Sequence, residues 1–233
     1  MSGLILALFA AALAAVPADV VTASDENLPQ DQRMAAFERV VANYDALSTD
    51  VVALAQEEDG DSRHRWIAIR VLGQIPADET MDVLMALTGD PQPAMRVAAV
   101  QSLSTGGSMN ASAKIATMLT DDAMLVRAAA ADALGTMRDS STVGDLARAL
   151  DDPTNYYRGN SLWVRRHYVY ALGNIGNSAA VPALIKCFDD QDPEIVTASL
   201  ESMKAIVGYD FSEGRSQEEH IEAWRRWWAN GGK

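Results

Sequence analysis

The chain has 233 residues, a formal net charge of −13 and a pI near 4.5; 48% of its residues are apolar and only 6% aromatic. So acidic a chain, with no basic stripe to displace counterions from phosphate, is not built to bind nucleic acid, and an anionic membrane surface repels it. The single cysteine, Cys187, excludes an intrachain disulfide, and its setting in Leu184-Ile185-Lys186-Cys187-Phe188 predicts a buried, inert thiol.

Leu4 to Ala15 is an uncharged run of Leu, Ile, Ala and Phe, followed by Val16-Pro17-Ala18 with small residues at the −3 and −1 positions. This predicts a secretory signal peptide over residues 1–18, with Val21-Thr22-Ala23 as an alternative site for cleavage after residue 23. No Lys or Arg precedes the run, and it is too short for a stable membrane span. The competing reading is a terminal helix packed on the rest of the fold. Export of an acidic protein with one thiol points to a periplasmic or secreted location. Residues 27–58 predict a degenerate capping helix pair, with Met34, Phe37, Val40, Val41 and Tyr44 followed by Val51, Val52 and Leu54.

From residue 59 to 207 the chain repeats itself. Arg65, Arg96 and Arg127 lie 31 residues apart, Arg165 follows after 38, and Val196 holds the same slot 31 residues further on. The seven extra residues place an insertion near 154–161. Each unit reads as two helices. In the third, Val126, Ala130, Ala133, Leu134 and Met137 share one face, Arg138-Asp139-Ser140-Ser141 breaks the pattern, and Val143, Leu146, Ala149 and Leu150 form the second face. A second column keeps the register: Asp90, Asp121, Asp152 and Asp190 each lie 25 residues after the Arg of their own unit. An Asp in the turn before a helix caps free N–H groups. An Arg one turn into that helix reaches the Asp of an adjacent unit, giving a ladder of ion pairs. The pattern predicts an all-α fold, a right-handed α-solenoid of stacked antiparallel helix pairs.

Asp-(five residues)-Arg, then Ala, then Ala/Val-Leu-Gly and an apolar residue, resembles the HEAT-like repeats of the phycobilisome-lyase type. Leu72-Gly73-Gln74-Ile75, Leu134-Gly135-Thr136-Met137 and Leu172-Gly173-Asn174-Ile175 carry the element; the second unit departs with Leu103-Ser104-Thr105-Gly106. Some HEAT-type proteins are di-iron hydroxylases that use His-Glu dipeptides. Here His64 precedes Arg, His167 precedes Tyr and His220 precedes Ile, so the resemblance carries no such activity across. No zinc-site spacing, calcium loop or phosphate loop is present, and no cofactor is expected.

The insertion, Asp152-Pro153-Thr154-Asn155-Tyr156-Tyr157-Arg158-Gly159-Asn160-Ser161, combines two tyrosines, an arginine and a glycine. It reads either as a recognition patch built on Tyr156, Tyr157 and Arg158 or as a loop folded over the adjacent unit, shielding Trp163. Solvent exposure of the two tyrosines separates these readings. Over residues 208–229, Ser216-Gln217-Glu218-Glu219 opens a capping helix with Trp224, Trp227 and Trp228 on one face, either a plug for the open end of the core or an aromatic anchor. Residues 21 positions after each repeat Arg, namely Ala86, Thr117, Arg148 and Lys186, fall in one row that becomes basic toward the C-terminal half. The leading expectation is a noncatalytic, exported scaffold that binds a protein or peptide on this surface. The alternative, implied by the resemblance alone, is an enzyme or enzyme subunit of the bilin lyase-like or oxidoreductase-associated type.

Overall fold

The computed structural model describes residues 16–105 and 111–232, which divide into two compact units, Met1–Leu72 and Gly73–Lys233. Thirteen α-helices, several three-residue 3₁₀ helices and one two-stranded hairpin make up the regular structure of the described residues, so the expected all-α solenoid of helix pairs is what the chain forms. The apolar run from Leu4 to Ala15 and residues 106–110 lie outside the described residues. No helix of the described residues is long and apolar enough to cross a membrane.

The first unit contains α1 (Ala18–Ser24), α2 (Gln30–Ala42), α3 (Tyr44–Gln56) and α4 (Ser62–Leu72). Helices α2 and α3 lie within residues 27–58; α2 packs chiefly on α1, and α3 on α4. Helix α1 is an addition: it packs on α2 and α4, buries Val20 fully, and is tied to α2 by Asp19 and Arg39 at 2.7 Å. Arg65, one turn into α4, is wholly buried and donates from Nε and Nη2 to the Ala55 carbonyl at 3.4 and 3.2 Å, and from Nη1 to Glu58 at 3.3 Å. It therefore satisfies carbonyls that the end of α3 leaves without intrahelical donors. Met34, expected to face inward, is instead half-exposed at 50%.

The second unit holds α5 (Asp78–Leu87), α6 (Pro93–Thr105), α7 (Ser112–Thr117), α8 (Met124–Met137), α9 (Val143–Asp151), α10 (Val164–Ile175), α11 (Val181–Lys186), α12 (Pro193–Val207) and α13 (Gln217–Ala229). Helices α6, α8, α10 and α12 pack on one another in order, and α5, α7, α9 and α11 each pack on the helix that follows in the chain. Each repeat thus buries its second helix against the first helix of its successor, which is why one repeat alone has no core. The Leu-Gly element permits close approach. A Cβ on Gly135 would stand 2.9 Å from the Ala171 Cα. One on Gly173 would meet the Ser202 hydroxyl, which donates to the Val169 carbonyl across the same contact.

The Asp column has two tasks at once. Asp90, Asp121, Asp152 and Asp190 each accept the N–H two residues ahead, at 2.8, 2.8, 2.8 and 2.9 Å, and so close the turn before the next helix or its 3₁₀ lead-in. Asp121 also holds Arg96 at 2.7 Å, and Asp190 holds Arg165. The backbone, rather than the carboxylate, is the link to the Asp six residues before an Arg: Arg96 and Arg127 donate to the carbonyls of Asp90 and Asp121 at 2.9 and 2.8 Å. One expected rung is different. Arg127 donates its Nε to the Asn155 side chain at 3.0 Å, and Asp152 instead turns to Thr154. The insertion displaces the carboxylate and supplies a neutral acceptor in its place. Asn155 is itself fully engaged, donating to the Ala149 carbonyl at 2.8 Å.

Helix α12 begins at Pro193 with Asp192 as its cap, and the Ser216–Glu219 capping box opens α13 as expected. Trp224 is completely buried, edge-on to Phe211 and Trp227, but Trp228 is 42% exposed, so the plug is Trp224 rather than all three tryptophans.

Candidate interaction surface

The row at position 21 after each Arg falls at the end of each second helix. Ala86 lies in α5, Thr117 in α7, Arg148 in α9 and Lys186 in α11, and all four are exposed beside buried neighbours such as Leu87, Met118, Ala149 and Cys187. Thr117 and Arg148 come together across a groove of about 550 Å³ between α7 and α9, with Ala113, Ala116 and Ala149 as its small-residue lining. Lys186 is not in that groove. It lines a separate hollow of about 250 Å³ with Tyr156, Ser161 and Asp190.

Neither cation of the row is free. Arg148 pairs with Asp145 three residues earlier on α9, and the Lys186 ammonium meets Asp151 at 2.9 Å. The Asp151 carboxylate beside Lys186 raises its pKa above the ordinary lysine value. Each cation of the row is thus matched by a carboxylate of α9. Both pairs are solvent-exposed, so an incoming carboxylate exchanges for the resident one at little cost.

The insertion is a β-hairpin, β1 (Tyr156–Tyr157) antiparallel to β2 (Asn160–Ser161) with Tyr156 opposite Ser161. Arg158 and Gly159 have φ of 52° and 82°, so both central residues adopt the left-handed conformation that a tight two-residue hairpin needs. The tyrosines divide. Tyr156 is half-buried, its ring 4.2 Å from the Arg165 guanidinium, and this burial raises its phenol pKa. Tyr157 is 62% exposed, with the Arg158 guanidinium 5.2 Å from its ring. Trp163 is 41% exposed and edge-on to His167, so the hairpin does not shield it. The tip presents an aromatic face and a cation to solvent.

Behind the hairpin, Arg165 holds the ends of three segments. It pairs with Asp190 and Ser161 and donates Nε to the Leu150 carbonyl at 3.0 Å. Burial works against ionising Asp190, but the Asp192 N–H, Arg165 and Ser161 outweigh it and hold the carboxyl below its ordinary pKa. Cys187 is buried, as expected, and burial pushes its thiol up to about 12, which leaves it without a thiolate to react. The carboxylates at 189–194 serve as caps and ion pairs: Asp190 and Asp192 close turns, and Asp189 meets Arg225 of α13 at 2.6 Å.

Sequence reasoning did not single out the exposed aromatics Trp66 and Tyr170 of the first helices, 39% and 44% exposed. The slot five after the repeat Arg contains Arg70, Gln101, Asp132 and Tyr170, uniformly outside the buried stripe, and that register was the available signal for Tyr170; the slot of Trp66 contains buried Ala128 in a later repeat and gave none.

The sequence matches HEAT repeats over residues 49–123 and the PBS lyase HEAT-like repeat over 126–152 and 164–190, together more than half the chain. The interval between the last two matches contains the hairpin. No curated protein matches. Among solved structures, the chain is similar to human deoxyhypusine hydroxylase in complex with glycerol, at 17% identity and TM-score 0.43 over 83% of this chain and 96% of that one. It is also similar to a designed armadillo repeat protein, at 15% and 0.44 over 82% and 100%. The complex of CpcE and CpcF of phycocyanin lyase from Nostoc sp. PCC7120 matches at 18% and 0.34 over 89% and 92%.

Proposed function

Because this chain belongs to the HEAT-repeat family, we propose that it is a noncatalytic scaffold that holds a protein or peptide on its second-helix face after export to the periplasm. The observation that carries the reading is the open groove containing Thr117 and Arg148, with the exposed Tyr157–Arg158 tip as a further contact on the same unit. The alanine lining accepts a small apolar side chain, and Arg148 and Lys186 each offer a guanidinium or ammonium that an acidic segment takes over from Asp145 and Asp151. Tyr and Arg supply large contact area with polar tips, the composition of interface anchors.

Export is supported by the run from Leu4 to Ala15 and by the architecture that follows it. Cleavage after Ala18 leaves Asp19 to pair with Arg39 and leaves Val20 in the core; cleavage after Ala23 removes both. N-terminal sequencing of protein recovered from the periplasmic fraction tests this, with Asp19 as the expected first residue. The binding face is tested in the native host with a photo-crosslinking amino acid at Tyr157. The captured partner is purified and its affinity measured for the double variant Arg148→Glu, Lys186→Glu. The expected result is a loss of at least tenfold, and unchanged affinity rejects the row.

A further inference from the structure

The first unit carries a concavity of about 250 Å³ enclosed by α1, α2 and α4. It is lined by the apolar side chains of Ala23, Met34, Phe37 and Ile67 together with Arg33, Arg70 and the Trp66 ring. The Arg70 guanidinium lies 5.6 Å from that ring, which fixes its position over a flat apolar surface. Arg33 Nε is buried and has no hydrogen-bond partner among the described residues, where buried donors are otherwise almost all satisfied. Neither Arg33 nor Arg70 forms an ion pair with a carboxylate among the described residues, although the chain carries 32 acidic residues. Asp25, whose field reaches Arg33, is instead engaged by the Asn27 backbone and side-chain N–H groups at 2.9 and 3.0 Å.

Two guanidinium groups lacking carboxylate partners, one with an orphaned buried donor, beside an apolar wall and an indole ring form half of a recognition site. We propose that this concavity binds an organic carboxylate attached to an aromatic or branched aliphatic body. The carboxylate gives the two guanidinium groups the counter-charge they lack, while the body rests on Trp66, Met34 and Phe37. Its volume lies at the small end of ligand sites, so it takes a single side chain or small molecule and not a folded domain. The same chemistry is offered by the free end of a peptide finishing in an apolar residue and by a free aryl or alkyl carboxylate.

The test is calorimetric titration of the full chain with 3-phenylpropanoate, with acetyl-Ala-Ala-Phe as the free acid, and with the amide of each. The site predicts that at least one acid binds at least tenfold more tightly than its amide. The acid that binds better identifies the source. Arg33→Gln is expected to weaken that acid tenfold or more without changing the helical circular dichroism. If that variant does not fold, Arg70→Gln and Arg33→Lys, which keeps the charge but not the planar fork, are expected to weaken it in the same direction. Equal affinity for acid and amide, no binding of either acid at millimolar concentration, or acid binding indifferent to the arginine variants overturns the proposal.

Discussion

Replacing Arg165 by Met tests whether the rungs between repeats hold the array together. The Arg165 and Asp190 side chains are only 3% and 8% exposed, and Met retains most of the length and apolar bulk of the arginine stem. Removing one partner of a buried pair costs about 3–5 kcal/mol, because the other charge is left uncompensated. Asp190 keeps the Ser161 hydroxyl at 2.8 Å and the Asp192 N–H at 2.9 Å, which places its share at the low end of that range. The Leu150 carbonyl loses its donor as well, which adds about 1 kcal/mol. A total of roughly 4 kcal/mol, with a urea slope of about 2–3 kcal/mol per molar, lowers the unfolding midpoint by about 1.3–2 M. Asp190→Asn in the same background removes the unpaired charge while keeping a capping oxygen, so the double variant should be more stable than Arg165→Met alone. An Arg165→Met midpoint within about 0.4 M of the parent, or a double variant less stable than the single one, refutes the reasoning. Acid provides a second readout. Because the folded state holds Asp190 below its ordinary value of 3.8, its contribution is complete above that pH and is lost as pH falls through and below it. Asp190→Asn should lack that acid-sensitive component in a series of melting curves.

Gly135→Val, whose Cβ meets the Ala171 backbone, should lower thermal stability by about 1–3 kcal/mol, whereas Gly144→Ala on the exposed side of α9 should raise it by about 0.5–1 kcal/mol; denaturation followed by circular dichroism compares the two. Cys187 should resist iodoacetamide at pH 8 in the folded protein and react once urea unfolds it, as read by intact mass. Burial holds His220 below its ordinary 6.5 against the opposing pull of Asp210, and its Nε2 accepts the Trp224 indole N–H at 2.9 Å. Protonation displaces that bond, so the stabilisation present above pH 6.5 should decline as pH falls below it. Tryptophan fluorescence of the parent should follow this decline, and His220→Gln should be flat over the same interval.

The 31-residue recurrence of Arg and Asp was enough to place the helix pairs, the buried stripe and the turn caps, because each repeats one local solution to backbone satisfaction. Where the repeat is broken, local rules fail. That Arg127 reaches Asn155 rather than Asp152 depends on where the insertion's turn closes in space, which spacing does not record. The pairing of Lys186 with Asp151, 35 residues away in the chain, has the same origin, whereas Arg148 and Asp145 stand three apart on one helix and could have been paired from the sequence. Helix α1 was hidden because its residues overlap two candidate cleavage motifs, so its Ala and Val read as small processing residues rather than core. The Arg33–Trp66–Arg70 concavity joins residues from two helices whose exposed faces look ordinary one at a time.

The substitution of Asn155 for a carboxylate makes the hairpin an exchangeable cassette. Its two anchoring side chains, Asn155 and Ser161, stand at its base and close contacts to Arg127, Arg165 and Asp190. Tyr157, Arg158 and Gly159 at the crest contribute nothing to those closures. Foreign peptide grafted between Tyr156 and Asn160 would be displayed from a pedestal whose closures lie outside the grafted segment.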